Sequence, residues 1–124
     1  MSILKVFNSQ LTDFLNDLII LFPNDADLKA SRLAVNALKK VNPKSLLTNW
    51  KYYITDKYKD KIMEGDIDFF ITKSYENDMT DVEDKGAALE AIDRLRPALL
   101  KIGENNKQKA SKYLQNLTKL SELY

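Results

Sequence analysis

The sequence predicts an all-α protein, organised as a compact single-domain bundle or array of five to six helices over residues 1–124. Apolar residues recur every three to four positions through most of the chain, which is the period of an amphipathic helix. Glycine and proline number only three each, too few for a turn-rich β architecture. A chain of 124 residues is long enough to enclose one hydrophobic core.

Capping residues and a proline delimit the first two helices. Ser2 can cap the first helix, and Pro23 is expected to end it. Asp25 or Asp27 is then expected to start the second. The positions expected to face the core are Ile3, Leu4, Phe7, Leu11, Phe14, Leu15, Leu18, Leu21 and Phe22 in the first helix, and Leu28, Val35, Leu38 and Val41 in the second.

The pair Asn42-Pro43 predicts a third helix, with Asn42 as its N-cap and Pro43 at its first position. Gly65 is expected to end this helix in a left-handed conformation. Asp66 is then expected to cap a short helix, and the aperiodic residues 74–80 predict a loop. The apolar positions of the third helix are Leu46, Leu47, Trp50, Tyr53, Ile54, Tyr58 and Ile62.

Two more helices are predicted beyond the loop. Asp81 is expected to open the fifth helix and Gly103 to close it, with a bend or a new start near Arg96 because Pro97 lacks an N–H. The last helix is expected to begin after Asn105. The inward positions are Val82, Leu89, Ile92, Leu95, Leu99 and Ile102, then Ala110, Tyr113, Leu114, Leu117, Leu120 and Tyr124.

The composition argues against most kinds of active site. Cysteine and histidine are both absent, which removes disulfides, thiolate metal sites, the commonest general base and the commonest zinc ligand. An acidic run that starts at Asp81 fails as a calcium loop, because Lys85 and Ile92 occupy ligand positions. Asp66 and Asp68 lie too close in sequence to act as a facing acid–base pair. We therefore expect no enzyme activity, cofactor, metal or small-molecule substrate.

Neither the net charge nor the apolar runs predict a membrane protein. The net charge is +1, and the apolar run from Leu18 to Phe22 is too short for a signal sequence or a bilayer span. We expect a protein of cytoplasmic type, without a signal or transmembrane segment.

The distribution of charge along the chain is strongly uneven. Residues 29–61 hold nine basic and two acidic residues, whereas residues 64–84 hold eight acidic residues and one lysine. This asymmetry predicts docking to other copies or to charged protein partners. The alternative is that the two regions face solvent and offset each other within one monomer. The candidate docking residues are Lys39, Lys40, Lys44, Lys51, Lys57, Asp78, Asp81, Glu83 and Asp84.

The basic segment Lys39–Lys61 also allows nucleic-acid binding, because its lysines alternate with Trp50, Tyr52 and Tyr53, which could stack on bases. The helical spacing of these aromatics instead favours a place in the core. Apolar residues off the main stripes, such as Ile20 and Tyr52, are expected either in a central helix or at a partner contact.

Three sequence segments resemble segments of known proteins. They are Phe7-Asn8-Ser9-Gln10-Leu11-Thr12-Asp13-Phe14 running to Phe22-Pro23, then Leu38-Lys39-Lys40-Val41-Asn42-Pro43, and then Gly65-Asp66-Ile67-Asp68-Phe69-Phe70. Together they resemble small helical proteins of unassigned function from large nucleocytoplasmic DNA viruses. The resemblance implies a viral protein in the host cytoplasm or in the virion. No functional-site residue of this chain can be assigned from the resemblance.

These observations lead to a functional prediction. We expect a non-enzymatic helical interaction protein, in particular a minor capsid or other virion assembly component, that docks through charged surfaces to copies of itself or to other virion proteins. The alternatives are a nucleic-acid-binding accessory factor and a regulatory binder of a host protein.

Overall fold

The computed structural model describes residues 2–66 and 86–124. The described ranges contain helices and no strand, so the prediction of an all-α protein is confirmed. Because α3 continues through a π-helical turn into α4, and only two residues separate α5 from α6, these ranges hold five helical units. The elements are α1 (Ile3–Leu21), α2 (Ala26–Val41), α3 (Lys44–Trp50), the π turn (Lys51–Thr55), α4 (Asp56–Met63), α5 (Gly86–Asp93), α6 (Arg96–Lys101) and α7 (Glu104–Leu123).

The first two helices begin at the predicted caps. The Ser2 hydroxyl accepts a hydrogen bond from the Lys5 N–H at 3.3 Å. Of the two candidates for the second cap, Asp25 fills the role, because its carboxylate accepts from the N–H groups of Asp27 and Leu28. Each cap satisfies N–H groups that have no partner inside the helix.

The third helix differs from the prediction at its start and in its middle. It begins at Lys44, one residue later than expected, with Pro43 in the cap position. It also widens into the π turn, which puts residues five apart on similar sides of the helix. Trp50 and Thr55 consequently both reach α7. The end is as predicted, since Gly65 has a φ of +83°.

The break near Arg96 is confirmed, whereas the predicted roles of Gly103 and Asn105 are wrong. Helix α5 ends at Asp93, and α6 begins at Arg96 with Pro97 in its first turn. The unit ends at Lys101 with Ile102 as its C-cap, so Gly103 does not close it. Gly103 is the N-cap of α7, and its carbonyl accepts from the N–H groups of Asn106 and Lys107. The last helix therefore starts at Glu104, before Asn105.

One cluster of buried apolar residues joins all the described helices. Helix α1 lies against α2 and α7, and α5 packs on α2 and α3. Trp50, Phe7 and Phe14 are the largest fully buried side chains, and the rings of Phe7 and Trp50 meet edge to face at 6.0 Å. This edge-to-face arrangement is favourable for aromatic pairs.

Three positions expected to face the core are exposed. Val41, in the last turn of α2, is 79% exposed, and Leu21 and Tyr124 are exposed as well. Val41 comes three residues after the partly buried Leu38 and four residues after the exposed Ala37. Helical spacing alone is therefore compatible with a place on either side of α2. The inner side is occupied by Leu28, Ser31 and Val35. The expected helix around 67–71, the loop over 74–80 and the start at Asp81 lie outside the described residues.

Candidate protein-docking surface

The outward side of α2 carries an apolar stripe. Leu33 is 74% exposed, Val41 is 79% exposed, and Ala37 between them is exposed as well. These residues are four apart, which places them along one side of the helix, opposite the buried Leu28 and Val35. Because α2 already buries its other side, this stripe is not needed to complete the core.

Two lysines lie along one edge of the apolar stripe. A rotation of about 100° per residue places Lys29 and Lys40 on the same edge of Leu33, and both lysines are exposed. Neither forms an ion pair within the described ranges. We name Lys29, Leu33, Ala37, Lys40 and Val41 together the α2 outer face. It combines aliphatic contact area with positive charge.

Helix α2 is held firmly from its inner side. The Ser31 hydroxyl donates to the Ala91 carbonyl of α5 at 2.7 Å. Asp27, at the start of α2, forms an ion pair with Arg94 at 3.1 Å. Near the other end, the Lys39 Nζ donates to the Thr12 hydroxyl of α1 at 3.0 Å. The outer face is thus presented by a helix whose position is set by α1 and α5.

The structure places the predicted basic docking residues in different locations. Lys40 belongs to the α2 outer face, and the exposed Lys44 follows at the start of α3. Lys39 instead turns toward α1, where it lines a shallow groove with Lys5 and Asn8. The predicted acidic residues Asp78, Asp81, Glu83 and Asp84 lie outside the described ranges.

Lys51 and Lys57 line a separate polar groove between the π turn, α4 and the end of α7. Three lysines and three carboxylates share it, so its charges balance, and the Lys59 Nζ is 2.6 Å from the Glu122 Oε2. The hydrogen bond and the negative charge of Glu122 raise the pKa of Lys59 above its ordinary value. This lysine stays protonated and cannot act as a base at neutral pH. The full lining is Lys51, Thr55, Asp56, Lys57, Lys59, Asp60 and Glu122.

A cleft of about 190 Å³ lies between the end of α1 and the first half of α7. At its edge, the Tyr113 ring stacks on Phe14 with centroids 4.9 Å apart, and its hydroxyl donates to the Asp17 carboxylate at 2.6 Å. Burial, together with Asp17, raises the pKa of Tyr113 to about 12. The phenol is therefore protonated at neutral pH, so it cannot act there as a general base.

A buried polar seam joins the π turn to α7. Trp50 is fully buried, and its Nε1 donates to the Thr118 hydroxyl at 3.2 Å. The hydroxyls of Thr55 and Ser121 are 2.6 Å apart, and Ser121 also donates to the Thr118 carbonyl. These bonds satisfy polar groups that would be costly to bury alone. The seam accordingly has a structural role, and Trp50 is not accessible for stacking on a nucleic-acid base.

Sequence reasoning missed both the seam and the aliphatic half of the α2 outer face. The signal for the seam was available, since Ser121 follows the core residues Leu114 and Leu117 at helical spacing. Leu33 and Ala37 also repeat with the helical period. Nothing in that repeat distinguishes the outer side of α2 from the inner one.

The described residues supply no group of three or more acidic side chains arranged to hold a metal ion. In the same ranges, no helix has the length and apolar character needed to cross a membrane. Comparison of the chain with protein-family models, with curated proteins and with solved structures finds no match.

Proposed function

We propose that this protein is a non-enzymatic interaction domain that binds an acidic protein partner through the α2 outer face. The observation that carries the proposal is the exposed stripe of Leu33, Ala37 and Val41 on a helix whose opposite side is already packed. Aliphatic residues aligned on a rigid helix form a common docking surface for a second helix or an extended segment.

Charge and rigidity define the kind of partner. Lys29 and Lys40 would attract and orient carboxylates, which favours fast association and correct alignment over raw affinity. The contacts from Ser31 and Lys39 hold α2 in place before binding, so little conformational entropy is lost in the complex. The matching surface is therefore an acidic segment that also presents apolar side chains.

Within this function, we propose a minor capsid or virion assembly role, on the strength of the resemblance to small viral helical proteins. A quantitative protein inventory of purified particles tests this role. Many copies in the particle would support it, whereas presence only in cell lysate would indicate a regulatory binder of a host protein.

Surface-mapped affinity purification tests the docking function. We expect a protein retained by the wild type to be lost, by about tenfold or more, with Leu33→Ser and with Lys40→Glu. Lys119→Glu, a charge reversal at another exposed lysine, on α7, should retain that protein. Thermal melting monitored by circular dichroism confirms that all three variants fold. If the wild type and all three variants retained the bound protein equally, the α2 outer face would not be the docking surface.

One observation supports nucleic-acid binding as a second candidate function. Tyr52 is 69% exposed and shares a groove with Lys57, Thr48 and Asn49. An exposed ring beside a lysine can stack on a base while the lysine contacts a phosphate. Fluorescence anisotropy with a single-stranded oligonucleotide at low salt tests this candidate. Binding that Tyr52→Ala weakens would support it, and an unchanged anisotropy of the probe would exclude it.

A further inference from the structure

We infer that two copies of this chain pair through the cleft between α1 and α7, with Ile20 of each copy entering the cleft of the other. This surface shares no residue with the α2 outer face, so the inference goes beyond the proposed function. It is carried by exposed apolar side chains at the edge of the cleft and by two opposite charges beside it.

The cleft is apolar inside and carries exposed apolar residues at its edge. Its walls include the buried Phe14, Leu18 and Ile102. Ile20 and Leu21 also line it, and Ile20 is 75% exposed. Large aliphatic side chains left exposed beside an apolar cleft are typical of a contact site. An apolar cavity of about 150 Å³ holds a benzene ring. A cleft of about 190 Å³ therefore has room for an aliphatic side chain of a second copy.

One charged side chain of each sign lines the cleft. Asp17 lies on α1 and Lys109 lies on α7, and both are exposed. Tyr113 comes one helical turn after Lys109, and its hydroxyl donates to the Asp17 carboxylate, so the two charges lie within about one turn of each other along the helices. Within the described ranges, neither charge forms an ion pair. Each is therefore available to an opposite charge on another molecule.

A two-fold arrangement makes this surface complementary to itself. If the axis runs between α1 and α7, α1 of each copy lies against α7 of the other. Asp17 of each copy then faces Lys109 of the other, so the same ion pair forms twice. Ile20, which is on α1, then lies against the cleft of the second copy. Pairing of one patch with itself about a two-fold axis is by far the commonest symmetry of protein oligomers.

A second copy matches this surface better than the acidic partner proposed for the α2 outer face. An acidic segment would attract Lys109 but would repel Asp17. A second copy supplies both opposite charges at once. With a net charge of +1, two copies also repel each other only weakly as whole molecules.

Sedimentation velocity over a dilution series of the full chain tests the inference. We expect the wild type to pass from monomer to dimer as its concentration rises. Ile20→Ser should weaken dimerisation by about tenfold or more, because it removes the apolar group that enters the cleft. Asp17→Lys and Lys109→Glu should each weaken it as well, since each variant places like charges opposite each other.

Mixing the two charge variants is the sharpest test. When one Asp17→Lys copy pairs with one Lys109→Glu copy, the introduced lysine faces the introduced glutamate, and the native Lys109 faces the native Asp17. An equimolar mixture should therefore dimerise although neither variant does so alone.

Two control variants should dimerise as the wild type does. They are Lys119→Glu, on α7 outside the cleft, and Leu33→Ser, on the α2 outer face. Because Asp17→Lys also removes the hydrogen bond from Tyr113, thermal melting monitored by circular dichroism checks that each variant is folded.

Several outcomes would overturn the inference. A wild type that is monomeric at every concentration would do so, as would dimerisation that Ile20→Ser leaves unchanged or a mixture of the two charge variants that stays monomeric. A monomer whose cleft binds the apolar dye ANS, with binding lost in Ile20→Ser, would assign the cleft to a small apolar ligand instead. The proposed function is tested separately, because it depends on whether the α2 variants retain a different protein.

Discussion

The two sides of α2 have similar apolar content and very different surroundings. Leu28 and Val35 on the inner side are buried against the other helices, whereas Leu33 and Val41 on the outer side are more than 70% exposed. Burial of a large aliphatic side chain contributes about 1.5–3 kcal/mol to folding, and an exposed one contributes little. The inner side therefore supports the fold, and the outer side is free to be selected for binding.

The largest expected effect is a difference between two leucine truncations on this helix. Leu28→Ala should lower the free energy of unfolding by about 2–5 kcal/mol, because it leaves a cavity among packed side chains. Leu33→Ala should change it by less than about 0.5 kcal/mol, since the side chain faces solvent. Urea unfolding of the monomeric protein, followed by circular dichroism, measures both values. Similar losses at the two positions would show that the outer side of α2 also packs against something in the folded monomer.

A smaller effect is expected at the polar contact on the inner side. Ser31→Ala should cost about 1 kcal/mol, because the mutation removes the hydrogen bond to the Ala91 carbonyl. Ala91 lies in the last turn of α5, where carbonyls have no partner within the helix. The same urea titration measures the loss. The matched control is Ser9→Ala, at an exposed serine of α1, which should be neutral. Equal effects at Ser31 and Ser9 would contradict the role of this bond.

The helices were largely predictable from sequence, but the choice between the two sides of α2 was not. Periodicity, the Ser2 and Asp25 caps and the Pro97 break all act locally, so they can be read along the chain. On α2, however, both apolar stripes repeat with the helical period. Contact with α5, made partly through the polar Ser31, determines which side is buried.

The candidate site was predictable only as an excess of positive charge. Counting lysines identified Lys40 but grouped it with Lys39 and Lys51, which tertiary packing directs elsewhere. The π turn could not be predicted from the sequence either, because its hydrogen-bond pattern does not follow from residue propensities. Packing between helices, rather than local sequence, decides which lysines share a surface.

The smallest effect is expected at Tyr113, whose half-buried position is intermediate between the two sides of α2. Tyr113→Phe should cost about 0.5 kcal/mol at neutral pH, because it removes a solvent-exposed hydrogen bond to Asp17 while keeping the ring on Phe14. The folded protein raises the pKa of this phenol to about 12, against about 10 in the unfolded chain. Its contribution to stability is therefore complete below about pH 10 and is lost as the pH rises toward 12. Urea unfolding across this range should show the wild type losing stability more steeply than Tyr113→Phe. Because the two proteins differ only at residue 113, parallel curves would mean that Tyr113 ionises as freely in the folded protein as in the unfolded chain.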